Sequence, residues 1–442
     1  MLRVRGKARK KFRLIIAVIV IVVAISGFIF FLRSAPESRL LPPREAANIF
    51  DALSNGLGGD IEAQRPLENP PKIIKAVYAT SYSAGNETKL DYLFDLIETT
   101  ELNAIVIDIK DFSGIVGYDS DLPLVNAYGA EEPRIKYINK LVKRFHDKGI
   151  YVIGRIAVFE DQKLALAKPD LALKSKSTGK LWRTKSKLFW MDTASKEVCD
   201  YNVAIAKDVL SRGFDEVNFD YIRFASDGNL DDIVYPVWDG QISKRKIVRS
   251  FHEYIRNALP TAKISADFFG MVTTNKDDLG IGQYLEDALP YYDAIAPMVY
   301  PSHYSPNFIG LKNPAANPYE VVRYSLDEAL RRLDAYKTSR DLALAQTTTA
   351  GDQINKSVPL PARAKLRPWL QDFKIGANYG PAEIKAQIKA TVDAAAGCRR
   401  KTGGVDNECG EGTSDELLGP VIDGWMLWNA RNVYTSGGVG LE

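Results

Sequence analysis

One apolar stretch of the sequence contains an acidic residue that needs an explanation, because a buried carboxylate must be paired or must serve a function. The stretch reads GFDEVNFDYIRF over residues 213–224, and the acidic residue is Asp220. Burying a lone carboxylate is costly, so Asp220 is either a hydrogen-bonded structural residue or a reactive group. A helical pattern over 195–211 precedes the stretch and a polar loop over 225–232 follows it. This is the order of elements in a parallel α/β sheet.

Short apolar runs typical of strands alternate with helical patterns from residue 72 onward. Eight such runs lie at 76–80, 104–111, 151–159, 213–224, 263–270, 294–304, 366–373 and 422–430. Helical spacing of apolar residues predicts helices at 90–100, 135–148, 195–211, 243–259, 281–291, 318–336 and 381–396. Eight βα units predict an α/β fold, a (β/α)8 TIM barrel with insertions. A doubly wound open sheet is the alternative, but no glycine-rich phosphate loop follows the first run.

Polar and aromatic residues gather where the predicted strands end, which is where TIM barrels keep their working residues. They are Asp108, Lys110, Glu160, Asp220, Arg223, Asp267, Tyr300, His303, Gln371, Asp372, Trp428 and Asn429. Carboxylates and amides can bind sugar hydroxyls, and aromatic faces can stack on sugar rings. No Ser-His-Asp order or activated cysteine stands out. We therefore predict a sugar-binding site at this end of the barrel.

Hydrolysis of a glycosidic bond needs two carboxyl groups on opposite sides of that bond. Asp220 and Asp267, on adjacent predicted strands, are the first pair, with Asp220 as nucleophile or base and Asp267 as acid. Asp372 is the reserve, and Glu160 is the weakest of the four. The other strand-end residues are predicted to bind substrate.

Structural explanations for two of these acidic residues stay open. Asp108 could pair with Lys110 or Arg155 instead of substrate, and Asp267 could bond to Asn218. Trp425 and Trp428 lie three apart on one strand, so only one of them can line the site.

Five motifs resemble, in chain order, an uncharacterised bacterial family of glycoside-hydrolase-like TIM-barrel domains. They are FDEVNFDYIRF (214–224), ISADFFG (264–270), PMVYPSHY (297–304), RPWLQDF (367–373) and GWMLWNA (424–430). The resemblance covers about residues 73–435 and implies hydrolysis of O-glycosidic bonds. No nucleotide or metal cofactor is implied.

The motif around Asp220 is also similar to the chitinase-type signature, with one decisive difference. Asp215 and Asp220 match two of its aspartates, but Asn218 replaces the middle one and Ile222 stands where the catalytic glutamate would be. The carboxyl group that works with Asp220 must therefore come from another strand.

The N-terminus predicts a membrane anchor. Residues 1–13 carry seven Lys or Arg and no acid, and residues 14–32 carry no charge. Nineteen uncharged, mostly apolar residues roughly span a bilayer core, and the basic cluster predicts a cytoplasmic tail. A cleaved signal peptide is the alternative, but its apolar core would be shorter. Residues 33–71, rich in proline, are predicted to be a stalk, and residues 72–442 the extracytoplasmic barrel of a single-pass cell-membrane protein.

Charge and cysteine content narrow the partners further. The chain has 58 Lys and Arg against 55 Asp and Glu, and the excess lies entirely in the basic tail, so nucleic acid is not an expected partner. Three histidines and three cysteines give little for a metal site. Cys199 stands alone, whereas Cys398 and Cys409 flank a glycine-containing loop that a disulfide could close, a question the sequence leaves open.

The combined prediction is an extracytoplasmic glycoside hydrolase that acts on a polysaccharide or cell-envelope glycan. A non-catalytic carbohydrate-binding or envelope-organising barrel is the main alternative. Sugar deacetylation is a third possibility, disfavoured by the shortage of histidines for a metal site.

Overall fold

The computed structural model describes residues 59–349, 358–397 and 414–440, with the side chains of 346–349 and 414 left out. The predicted anchor at 14–32 and the cysteines Cys398 and Cys409 lie outside these ranges. Within them, no helix is both long enough and apolar enough to cross a membrane.

Eight parallel strands in the described ranges close into a barrel. They are β1 (Ile74–Ala79), β2 (Ala104–Lys110), β3 (Tyr151–Ala157), β4 (Glu216–Asp220), β5 (Ile264–Phe269), β6 (Ala294–Met298), β7 (Trp369–Gln371) and β8 (Gly424–Trp428). Each strand pairs with the next one along the chain, and β8 pairs with β1. The predicted (β/α)8 barrel is confirmed.

Seven helices fill the connections between these strands. They are α1 (Glu87–Glu98), α2 (Ile138–His146), α3 (Lys196–Ser211), α4 (Lys244–Ala258), α5 (Leu285–Ala288), α6 (Pro318–Thr349) and α7 (Pro381–Ala395). Single helical turns lie at Ser81–Ala84, Pro123–Ala127, Gln162–Ala167 and Ser414–Leu417. Turns of 3-10 helix lie at Leu230–Asp232, Gly270–Thr273, Pro301–His303, Phe308–Gly310, Pro314–Ala316 and Ser436–Gly438.

Short strands decorate the barrel. Val116–Tyr118 turns back against Lys110 of β2 and then pairs in parallel with Glu131–Ile135. Lys174–Ser175 and Ile233–Val234 form a small antiparallel pair of their own. Lys365–Leu366 pairs with β6 just before β7 begins.

Three predicted elements have different bounds in the structure. The helix predicted at 281–291 is only the four residues of α5, because Gly280 and Gly282 have φ of 67° and 86°, outside the helical region. The strand predicted at 366–373 is interrupted at Pro368, which has no N–H to donate to a neighbouring strand. Helix α6 continues to Thr349, well beyond the predicted end at residue 336.

The barrel strands have an outer face that packs on the helices and an inner face that fills the barrel. Outer residues such as Val77, Ile105 and Leu427 belong to one large apolar cluster. Inner residues such as Val106 and Ile153 belong to a second, smaller cluster. Because side chains alternate along a strand, each barrel strand sends every second residue toward the interior. Odd or even position along the strand therefore decides which residues can reach the site.

Residues 60–67 contact the first turn of α2 and the residue that precedes β4, although the sequence assigned them to the stalk. The Asp60 carboxylate accepts hydrogen bonds from the N–H groups of Asn139 and Lys140, at 2.8 and 3.0 Å. The Leu67 N–H donates to the Asp215 carboxylate at 2.7 Å. The compact unit that contains the barrel accordingly begins at Asp60.

Candidate active site

Arg155 of β3 gathers three acidic residues from three other strands. Its Nη1 donates to Oδ1 of Asp108 and its Nη2 to Oδ2 of Asp220, both at 2.5 Å. Its Nε lies 3.5 Å from Oδ2 of Asp267. The side chain is almost fully buried, and these carboxylates raise its pKa further above the ordinary arginine value, against the opposing effect of burial. One guanidinium therefore balances part of the charge of three carboxyl groups.

Two partners for Asp108 were predicted from the sequence, Lys110 and Arg155. The structure shows the pair with Arg155. Tyr78 donates its hydroxyl to the other oxygen of Asp108. Burial raises the pKa of Asp108, and Arg155 opposes that rise. Because Asp108 lines neither of the two cavities described below, it is a support for Arg155 more than a surface for substrate. The signal for Arg155 was its inward position on β3, in register with Asp108.

Asp220 is the acidic residue of this group that reaches open space. A cavity of about 260 Å³ is lined by Asp220, Tyr221, Arg223, Phe269, Gly270, Met271, Met298, His303 and Tyr304. The second oxygen of Asp220 accepts the Tyr221 N–H at 2.5 Å. Tyr221 has a φ of 56°, a conformation that residues other than glycine rarely adopt. Backbone strain of this kind concentrates at functional sites, and here it orients the carboxylate.

Asp267, on the next strand, β5, is absent from the lining of both cavities. Its Oδ1 accepts hydrogen bonds from Asn218 Nδ2 at 2.9 Å and from Trp369 Nε1 at 2.7 Å. Burial, followed by the charge of Asp220, raises the pKa of Asp267 to about 8. The bond to Asn218 that the sequence left open is therefore present. These contacts fix the position of Asp267 and leave it 1% exposed.

Glu160, which follows β3, lines a second cavity beside the first. This cavity, of about 330 Å³, is lined by Phe112, Glu160, Thr184, Ser186, Leu188, Trp190, Tyr221, Arg223, Ser226 and Asp227. The two cavities share Tyr221 and Arg223. Burial raises the pKa of Glu160 to about 7, with Asp227 and Asp220 acting in the same direction and Arg223 opposing. A carboxylic acid with this pKa can donate a proton near neutral pH.

Three aromatic residues predicted from the sequence lie close to the carboxylates. Trp428 stacks on Tyr78, with ring centroids 3.9 Å apart, and the Arg155 guanidinium lies 5.0 Å from its ring. Tyr300 is buried, and its pKa is raised first by burial and then by the charges of Asp267 and Asp220. His303 packs edge-on to Tyr300 and lines the first cavity, where burial lowers its pKa. Trp425 belongs to the outer cluster, so the expected division between the two tryptophans is confirmed.

Eight of the twelve predicted residues are absent from the lining of both cavities. Four of these, Asp108, Asp267, Tyr300 and Trp428, lie near Arg155, whereas the other four, Lys110, Gln371, Asp372 and Asn429, are held by other contacts. Lys110 is fully buried in an ion pair with Asp161 at 2.5 Å, where no substrate can reach it. Asp372, the reserve catalytic residue, accepts the N–H and the hydroxyl of Thr435, each at 2.8 Å.

Gln371 and Asn429 are also occupied by main-chain contacts. Gln371 donates to the carbonyl of Phe373 and accepts the Ser302 N–H. Asn429 donates to the carbonyls of Asp372 and Val433. These residues hold the loops that surround the barrel mouth.

No group of three or more His, Cys, Asp or Glu in the described ranges is placed to hold a metal ion. The buried carboxylates are instead balanced by Arg155. Carboxyl groups placed in this way can transfer protons and act as nucleophiles.

A closed (β/α)8 barrel with carboxyl groups at the carboxyl ends of its strands is the arrangement of a glycosyl-hydrolase-like protein. Residues 76–397 match the model of a family described as a putative glycosyl hydrolase domain, and the chain belongs to that family. The membership predicted from the five motifs is confirmed. A search of curated proteins found no match.

Several solved structures are similar to this chain. A hypothetical protein from Ruminiclostridium thermocellum is 38% identical over 46% of this chain and 98% of its own, with a TM-score of 0.41. The glycoside hydrolase domain of PgaB (BpsB) from Bordetella bronchiseptica is 12% identical over 84% of this chain and 99% of its own, with a TM-score of 0.51. An α-galactosidase from Thermus thermophilus is 16% identical over 60% of this chain and 50% of its own, with a TM-score of 0.37. At 12% identity, the PgaB domain supports the fold alone.

Proposed function

We propose that this protein hydrolyses a glycosidic bond, with Asp220 as nucleophile or base and Glu160 as acid. The observation that carries the proposal is the placement of Asp220, which Arg155 holds at the end of β4 while its carboxylate lines a cavity. Family membership supports the reaction class.

The acid is better assigned to Glu160 than to Asp267, the acid predicted from the sequence. Glu160 lines a cavity, and its carboxyl group forms no hydrogen bond or ion pair with the described residues, so its proton is free to leave. Asp267 is held by Asn218 and Trp369 and lines neither cavity. Asp267 then serves to position Arg155 and, through it, Asp220.

The proposed reaction breaks the bond between the anomeric carbon and the bridging oxygen. Glu160 gives its proton to that oxygen, which leaves as a hydroxyl of the departing sugar. Asp220 either attacks the anomeric carbon, to be displaced later by water, or takes a proton from the water that attacks. In both routes the water oxygen ends on the anomeric carbon. In the first route Glu160 takes its proton back from that water, and in the second Asp220 holds the proton of the water, loses it to solvent, and Glu160 is reprotonated by solvent.

The proposal extends to location and substrate. The uncharged stretch at 14–32 and the basic tail before it support a single-pass membrane anchor with the barrel outside the cytoplasm. A polysaccharide or glycan of the cell envelope is then the substrate within reach.

Replacing Asp220 by Asn tests the function. The full chain and its Asp220→Asn variant are incubated with a library of polysaccharides, and the released sugars are analysed. We expect the variant to lose hydrolysis while its melting temperature changes by only a few degrees, because Asn keeps the shape of the side chain. Asp231→Asn, the same change at an exposed residue of the loop after β4, should keep full activity.

Two results would contradict the proposal. Full hydrolysis by Asp220→Asn would remove Asp220 from the reaction. Glycan binding without turnover by the unmodified chain would favour a carbohydrate-binding barrel.

A further inference from the structure

Arg223 differs from the other buried arginines in having no acidic partner. Five arginines in the described ranges are less than a tenth exposed, namely Arg155, Arg223, Arg323, Arg332 and Arg367. All except Arg223 form an ion pair with Asp or Glu. Burial lowers the pKa of Arg223, and the charges of Asp220, Glu160 and Asp227 oppose that effect from outside ion-pair distance. A buried cation without an ion pair is costly, so a position of this kind calls for a reason.

The contacts of Arg223 leave one edge of its guanidinium unused. Nη1 donates to the Phe224 carbonyl at 3.2 Å and to the Ser226 hydroxyl at 2.9 Å. Nε and Nη2 donate to no acceptor among the described residues. Rings of Trp190 and Phe269 lie 4.7 and 4.6 Å from its central carbon. The aromatic contacts offset part of the cost of burial but cannot accept the in-plane hydrogen bonds.

The position of this guanidinium is also distinctive. Arg223 is one of only two residues, with Tyr221, that line both the Asp220 cavity and the Glu160 cavity. A ligand that spans the two proposed catalytic carboxyl groups would therefore pass it. Nε and one Nη of arginine form a fork that matches the two oxygens of a carboxylate.

We propose that Arg223 binds an anionic substituent of the glycan, of which the carboxylate of a uronic acid is the best match, where the two cavities meet. This inference rests on the proposed function, because it names the class of glycan that the same site takes. The substrate is then an acidic polysaccharide.

Neighbouring acidic residues do not already fill this role. Glu160 and Asp227 line the same cavity as Arg223, yet neither forms an ion pair with it. The Asp220 carboxylate is taken by Arg155. The raised pKa of Glu160 means that this residue carries little charge in mildly acidic solution, which reduces its repulsion of an incoming anion.

A paired set of oligosaccharides tests the proposal by binding. Uronic-acid oligosaccharides are compared with the same compounds after reduction of their carboxyl groups to alcohols, and sulfated and phosphorylated oligosaccharides form a second arm. We expect the full chain to bind at least one acidic compound about tenfold or more tightly than its uncharged counterpart. Tighter binding only in the second arm keeps the anion site and assigns a sulfate or phosphate to it.

Variants then attribute the preference to Arg223. Arg223→Gln should lose it, whereas Arg223→Lys, which keeps the charge without the fork, should retain part of it. Arg183→Gln is the matched control, because Arg183 is an exposed arginine that lines a separate cavity. Melting curves of the two Arg223 variants show whether each is folded, and Arg223→Lys carries the test if Arg223→Gln is not.

The results separate this inference from the proposed function. An acidic preference that disappears in Arg223→Gln supports the inference even if the unmodified chain never cleaves a glycan. If the unmodified chain hydrolyses acidic glycans and their uncharged counterparts at equal rates, the inference is overturned and the function is kept. The inference is also overturned if Arg223→Gln weakens the binding of acidic and uncharged compounds equally. It is overturned too if the unmodified chain binds no acidic compound.

Discussion

At the scale of single residues, the site depends on how buried carboxyl groups share one buried guanidinium. Arg155 faces three carboxyl groups, and each of them differs in what else it contacts. Asp108 is closed off by Tyr78, Asp267 by Asn218 and Trp369, and only Asp220 opens to a cavity. The same cation thus supports one carboxylate that lines a cavity and contacts two others that line none.

The acid can be identified by the dependence of hydrolysis on pH. Glu160 can donate its proton only below its pKa of about 7, so hydrolysis should fall as pH rises through that value. Glu160→Gln should lower kcat by about 10²- to 10⁴-fold and remove this fall from the remaining activity. Asp267→Asn is the comparison, and it should reduce the rate but keep the fall near pH 7. If the fall disappears in Asp267→Asn and persists in Glu160→Gln, the acid is Asp267, as the sequence predicted.

The stability of the protein should also depend on pH through Glu160. Between the ordinary glutamate pKa and about 7, unfolding lets Glu160 ionise, so its contribution to the free energy of unfolding decreases as pH rises. Above pH 7 the folded protein holds an ionised, unpaired Glu160 at a cost of up to about 3 kcal/mol. Glu160→Gln should therefore raise the melting temperature at pH 8 and change it little at pH 4.5. A gain of equal size at both pH values would contradict the assignment.

Sequence reasoning found the acidic residues of the site but not their organiser. Asp220 and Asp267 stood out because a carboxylate is unexpected in an apolar run. Arg155 lies in a similar run, but its role depends on which strands become neighbours, which spacing along the chain does not give. Lys110 and Asp372 were predicted from their position at strand ends. That position does not show whether the side chain already has a hydrogen-bonding partner, and both have one.

At the scale of elements, the first N–H groups of α2 are hydrogen-bonded by a residue from a distant segment. The first N–H groups of a helix have no partner within the helix, and Tyr137, which precedes α2, provides no side-chain cap. The Asp60 carboxylate accepts two of these N–H groups instead. Sequence patterns could not reveal this cap, because the two residues are 79 and 80 positions from Asp60.

Removing this cap should weaken the fold without touching the site. Asp60→Ala leaves the Asn139 and Lys140 N–H groups without that acceptor, and we expect it to lower the free energy of unfolding by about 1 kcal/mol. Urea unfolding curves of the full chain measure the change. Glu68→Ala, which removes an exposed carboxylate from the same segment, is the control and should be neutral. Equal stability of both variants would show that the cap contributes nothing.

At the scale of the whole molecule, the count of βα units was the most reliable guide. Closure needs eight strands of matched direction, and eight apolar runs separated by helical patterns left few other folds of this length. The bounds of β7 and α5 were harder to predict, because Pro368 and the glycines before α5 alter the backbone locally while the apolar pattern continues. The amino-terminal limit of the barrel was also harder, since residues 60–67 contact it through polar groups that leave no apolar pattern.

That limit gives a prediction for the assembled protein. The proposed anchor lies before residue 59 and the compact barrel unit begins at Asp60, so a chain that starts at Asp60 should fold, stay out of the membrane fraction and keep its hydrolytic activity. The full chain should sediment with membranes.

A chain that starts at Lys72 loses the contacts of Asp60 and Leu67 and should melt at a lower temperature than the chain that starts at Asp60. Cell fractionation and melting curves of the three chains make the comparison. Recovery of the full chain in the soluble fraction would refute the anchor, and equal melting of the two shortened chains would place the start of the folded unit after residue 71.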